Sequence, residues 1–192
     1  DTYYSAELRT DYTFNQTYGC FTVRMKGPGS DITSGANNAF WLLPSFGGWG
    51  NTYLYTYDGS QLACGELDVV ERSAYWGYGM WNTTQHIWNS VTGEKVSYSR
   101  SVNYTEYDSA VNGGFIEYTL AWTKNAIFVY ANGQLISKTE GITGTGMPAY
   151  MILSNAINSA TAESPAWTGY TTDDNLDDLT VYVDYIKAYA LN

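Results

Sequence analysis

Ala126-Ile-Phe-Val-Tyr-Ala-Asn-Gly-Gln-Leu-Ile-Ser-Lys138 reads as two strands joined by a two-residue turn. Both arms are rich in β-branched and aromatic residues, which suit a pleated, half-buried surface. Asn132-Gly133 supplies a pair that tolerates positive φ, the requirement of a type I′ hairpin. Outward from this hairpin the same texture recurs in Gly19–Lys26 (GCFTVRMK) and in Thr180–Ala190. No window of helical length carries apolar residues at i, i+3, i+4 and i+7. Short strands without helices predict an all-β chain, an antiparallel sandwich of two sheets. With 192 residues, no repeat and no linker, residues 1–192 are expected to form one domain. Two long stretches, Ser45–Cys64 and Ile157–Asp178, read as loops of the kind that wall a binding site.

Composition narrows the partners. Nineteen Tyr and seven Trp can fill β-sheet cores or stack on the apolar faces of sugars. A net charge of −10 with nine Lys and Arg argues against a nucleic-acid partner, which needs concentrated positive charge. It argues likewise against docking on anionic membranes. No apolar run approaches the roughly 18 residues of a membrane span. Asp1 opens directly in a polar, strand-like stretch, so the numbering is expected to start in a mature or trimmed protein. Sequons at Asn15, Asn82 and Asn103 permit glycosylation and suit a secreted chain. Cys20 and Cys64 either form one disulfide or remain buried thiols. One His and no Cys pair at ligand spacing give no zinc site. A monomer is the expected state.

The chemistry concentrates in Gly65-Glu66-Leu67-Asp68-Val69-Val70-Glu71-Arg72. On a strand, Glu66 and Asp68 share one face while Leu67 and Val69 take the other. Regular alternation would then drive Glu71 into the core, where an ionised carboxylate is costly. One extra residue, a β-bulge at Val69-Val70, returns it to the face of the other acids. Like charges gathered on a strand face repel and need a reason. A calcium site is one reason, since carboxylate oxygens suit that ion. Glycoside cleavage is the other: retention uses two carboxyl groups about 5–5.5 Å apart, a nucleophile and a proton donor. The middle acid can orient the nucleophile, and mutual repulsion keeps one of the three protonated near neutrality.

These residues resemble glycoside hydrolase family 16, whose bulged subgroup carries E-x-D-x-x-E on a β-jelly-roll sandwich of concanavalin A type. The resemblance implies that Glu66 is the nucleophile, Asp68 its assistant and Glu71 the acid/base, on a concave sheet forming an open cleft. It extends over most of the chain. Tyr18–Lys26 looks like the family's early strand, Phe40-Trp41-Leu42-Leu43-Pro44 like its W-x-L strand, and Thr83-Thr84-Gln85-His86 like the strand bearing a cleft His. Trp122-Thr123 with the Asn132-Gly133 hairpin, and Val183-Asp184-Tyr185-Ile186, look like two further segments. Thr22 departs from the family's usual Glu, and Asn158-Ser159-Ala160 replaces its Gly-Gly pair.

By the same resemblance Trp41 stacks on sugar and His86 is an orienting partner in the cleft. Trp88, in phase with His86, and Trp167, in the second long loop, are expected at the substrate. Trp49, Trp76 and Trp81 lie in Gly-rich text and are candidates for the cleft wall, Trp122 is expected in the core, and Arg72 is expected as a rim charge. Catalysis needs no cofactor; the family implies a possible structural calcium held through Asp184. The implied activity is retaining, endo-acting cleavage of a neutral polysaccharide, first a β-1,3- or mixed-linkage β-1,3-1,4-glucan. The alternatives are an endo-β-galactanase of agar, carrageenan or mucin type, a transglycosylase, or a non-catalytic carbohydrate-binding sandwich.

Overall fold

The computed structural model describes residues 4–27, 35–45, 62–73, 80–89, 92, 94–103, 114–142, 146–157, 161, 163–164, 166–170 and 180–191. Its strands are β1 Ala6–Arg9, β2 Gly19–Lys26, β3 Ala36–Pro44, β4 Leu62–Arg72, β5 Met80–Asn89 and β6 Lys95–Asn103. Then follow β7 Ile116–Trp122, β8 Ala126–Ala131, β9 Gln134–Glu140, β10 Ala149–Ile157 and β11 Tyr182–Tyr189. The described residues contain no helix. One sheet has six strands in the order β1-β10-β3-β4-β5-β6, and the other has five in the order β11-β2-β7-β8-β9. All pairings are antiparallel. The expected all-β sandwich is therefore the observed one.

The hairpin forms as its sequence predicts. Asn132 has φ 47° and Gly133 φ 78°, both in the left-handed region that Asn and Gly tolerate best. Asn132 also ties the turn to β7, accepting from the Glu117 backbone N–H through Oδ1 and donating its own N–H to the Glu117 carbonyl.

Between the sheets lies one large apolar cluster that includes Phe21, Val23, Phe40, Leu42, Leu67, Val69, Val70, Leu120, Trp122 and Val129. Trp122 is fully buried, as expected. Trp81 corrects its expectation: it is a fully buried core residue, edge-on to Tyr118 at 5.0 Å between ring centres. Its strand begins at Met80, and Trp81 then alternates inward with Thr83, Gln85 and Ile87. Arg72 is half-buried, its guanidinium packed against the backbone of Gly27 rather than standing on a rim. Cys20 is a free thiol. On β2 it lies in phase with Arg24 and Lys26 while Phe21, Val23 and Met25 enter the core, so it faces away from the sheet that contains Cys64 and the disulfide reading is set aside. Trp49, Trp76, the 158–160 segment, the acidic run at 173–178 and most of both long loops lie outside the described residues.

Candidate active site

The acids sit inside the six-stranded sheet because β4 lies between β3 and β5, and they share one face because β4 carries a bulge. Against β3, Phe40 pairs with Val70 and Trp41 with Asp68, leaving Val69 without an opposite residue. Against β5, Asp68 pairs with Thr84 and Glu71 with Asn82, three residues of β4 spanning two of β5. Leu67, Val69 and Val70 all enter the core, so Glu66, Asp68 and Glu71 share the outer, open face. The bulge was legible in the sequence because the alternative, a charge among valines, is costly.

A second bulge lies one step earlier and was not foreseen. Cys64 pairs with Ile87 and Glu66 with His86, so Gly65 is the extra residue. A Cβ on Gly65 would stand 1.6 Å from Trp88 Cζ3. The indole thus packs directly against Gly65, immediately before Glu66. Trp88 is half-buried there, 6.2 Å from His86 between ring centres, with Lys95 Nζ 5.6 Å above it.

Alternation assembles the rest of this face: Asn37, Ala39, Trp41 and Leu43 from β3, and Asn82, Thr84, His86 and Trp88 from β5. Trp41 is only 9% exposed, packs with Ala39, Leu43 and Ile152, and donates from Nε1 to Ser154 Oγ at 3.1 Å. Asn37 Nδ2 donates to Glu71 Oε1 at 3.4 Å. His86 Nδ1 is 2.7 Å from Ser97 Oγ, and its Nε2 is 3.6 Å from Asp68 Oδ2. Trp167 is 57% exposed beside Thr168, whose carbonyl accepts from Ser73 Oγ, just past the end of β4. Sequence reasoning missed Asn37, Gly65, Ser97 and Lys95; for Asn37 the available signal was its phase with Trp41. Asn82 opposes Glu71 with its Oδ1 buried, so that sequon lies in the floor of the face, while Asn15 is exposed.

The electrostatics separate the acids by depth. Asp68 is 2% exposed, and burial, then the charges of Glu71 and Glu66, hold its carboxyl well above the usual range. A hydrogen bond between Asp68 and Glu66 raises the former and lowers the latter. Burial raises Glu66, opposed by Lys95 and by that hydrogen bond. Glu71 is pushed up to about 7, chiefly by burial, with Glu66 adding to it and Asn37 opposing. Burial and then Lys95 lower His86, which favours its neutral form. Such a set offers an ionised carboxylate steadied by a neutral acid, and a second carboxyl able to hold a proton near neutrality.

A metal fits this set poorly outside the acids themselves. Among the described residues, Glu66, Asp68 and His86 alone bring three ligand atoms within 4.8 Å of one another. Asp184 Oδ2 is already met by Arg24 Nη1 at 2.5 Å, a cation standing where calcium would need to bind. The residues around Asp184 therefore do not fit the expected calcium site.

The comparisons with known proteins agree with this fold. No family model matches the chain. It is 30% identical over 190 residues to the endo-1,3-1,4-beta-glycanase EglC of Rhizobium meliloti, covering 99% of this chain and 34% of that protein. The chain thus spans about a third of the curated relatives it matches. The laminarinase catalytic domain of Thermotoga maritima superposes with a TM-score of 0.72 at 21% identity, over 97% of this chain and 69% of that one. A glycoside hydrolase family 16 endo-glucanase from Bacteroides ovatus gives 0.70 at 19%, over 95% and 74%.

The chain has the laminarinase-like fold of glycoside hydrolase family 16. Strand alternation and the cost of a buried carboxylate predicted the bulge at Val69-Val70, and the resemblance drawn from the E-x-D-x-x-E strand implied the open sheet. It did not anticipate Gly65 as the seat of Trp88, nor the ion pair that occupies Asp184.

Proposed function

We propose that residues 1–192 form the catalytic domain of a secreted, monomeric, retaining endo-β-glucanase acting on neutral β-1,3- or mixed-linkage β-1,3-1,4-glucan. In this reading Glu66 attacks the anomeric carbon, Glu71 protonates the departing oxygen and then deprotonates water, and Asp68 orients Glu66. Trp41, His86, Trp88 and Trp167 contact or shape the bound sugar. The observation that carries the reading is the bulge that turns Glu71 outward beside Glu66 and Asp68 while burial lifts its carboxyl to about 7. An acid/base must hold its proton before attack and release it afterwards, which a value near working pH allows. The names of the curated relatives, both endo-1,3-1,4-beta-glycanases, support the substrate class. Among the described residues no helix is long and apolar enough to cross a membrane.

Anomeric proton NMR during lichenan and laminarin hydrolysis tests this reading. Retention predicts β-configured new reducing ends first, with the α form appearing only by mutarotation. An α-first product, or no cleavage of either glucan, contradicts it.

A further inference from the structure

Thr83, Gln85 and Thr139 are polar yet almost wholly buried against the apolar core. Their groups form one directed chain. Thr139 Oγ1 donates to Gln85 Oε1 at 3.1 Å, Gln85 Nε2 donates to Thr83 Oγ1 at 3.0 Å, and Thr83 Oγ1 donates to the Asp68 carbonyl at 2.8 Å. Every donor points toward the bulge, an order in which each bond polarises the next. The chain starts on β9 of one sheet, crosses the core, and ends on β4 of the other.

The carbonyl at its end explains the placement. Ladder carbonyls lie close to the sheet plane and bond to neighbouring strands. A side chain on the core face reaches the Asp68 oxygen because the bulge interrupts the ladder there. Thr83 is the residue of β5 that lies opposite the pair Val69 and Val70, since its neighbours Thr84 and Asn82 pair with Asp68 and Glu71. A valine has nearly the shape of threonine and would suit this core better, unless the hydroxyl has a task.

We propose that Thr83, Gln85 and Thr139 are positioning residues: their hydrogen-bonded chain braces the Asp68 carbonyl and so fixes the bulge that sets Glu71 on the face of Glu66. Loss of the extra residue from the register would turn Glu71 toward the core. The catalytic consequence rests on the glucanase reading; the brace itself does not.

Thr83→Val tests it with two readouts. Backbone amide exchange of Val69, Val70 and Glu71 rises at least about tenfold relative to the amides of β7 and β8, because the bulge is loosened locally. On β-glucan, kcat falls about tenfold with KM within about twofold, and Thr83→Ser restores both readouts. Thr139→Val, at the far end, gives the same signature at about two- to fivefold, and it decides the matter if Thr83→Val does not fold. A merely structural role would raise exchange evenly and leave kcat unchanged in the folded enzyme. Bulge exchange and kcat both at wild-type levels would overturn the brace. An inactive wild type with locally faster bulge exchange in Thr83→Val would overturn the glucanase reading and keep the brace.

Discussion

His86 Nε2 stands 3.6 Å from Asp68 Oδ2, a diagonal contact across the β5–β4 ladder, where His86 is paired with Glu66 and Asp68 with Thr84. Ser97 Oγ, at 2.7 Å from Nδ1, fixes the ring from the opposite side. Burial and then Lys95 lower the imidazole's proton affinity, and in the glucanase reading the ring serves to orient Asp68. His86→Ala should lower kcat about tenfold to a hundredfold through misplacement of Asp68, with a smaller effect on KM. Steady-state kinetics on lichenan measure this. A change confined to KM would make His86 a sugar contact alone.

Glu71 links activity to stability. Its carboxyl is raised from 4.5 to about 7, so the folded chain holds this proton more tightly than the unfolded chain. Stability must then fall as pH rises from about 4.5 through about 7, by about 3 kcal/mol from this group at most. Glu71→Gln removes the penalty. The variant should match wild type in thermal unfolding at pH 4 and exceed it at pH 8, while losing at least about a hundredfold in glucan hydrolysis. Wild-type activity should decline above about pH 7 as Glu71 loses its proton. A variant less stable than wild type at pH 8 would mean that Glu71 contributes a favourable charge interaction absent from this structure.

Gly65 seats Trp88. A methyl group there would overlap the indole, at 1.6 Å from Cζ3, and must displace it. Gly65→Ala should raise KM for laminarin or lichenan about tenfold by removing a stacking surface beside Glu66. Adding Trp88→Ala to Gly65→Ala should cost little more, since both changes remove the same platform. Fully additive losses in this double-mutant cycle would separate the two residues.

How much of this was legible depended on whether the signal was local. Asn132-Gly133 announced its hairpin because two consecutive positive φ values are a local demand. The bulge at Val69-Val70 was legible because Glu71 had only two possible faces, and one was apolar. Trp81 misled because the Gly-rich text before it hides where β5 begins, and one residue of phase decides core or cleft. Gly65 left no trace because its task is to lack a side chain. Asn37 looked like an ordinary polar strand residue until β3 was set beside β4 and its Nδ2 met Glu71. The pairing of Asp184 with Arg24 is set by sheet order, which no short window of sequence contains.

The central claim is that Glu66 performs the attack on a neutral β-glucan. Reducing-end release from laminarin and lichenan by wild type and Glu66→Gln, with agarose and κ-carrageenan alongside and polymer binding followed in parallel, tests it most directly. The account predicts release from a β-glucan by wild type, a fall of at least about a thousandfold in the variant, and retained binding by both. Substantial release by Glu66→Gln would contradict the assignment of the nucleophile, and a wild type that binds glucan without cutting it would contradict the enzyme itself.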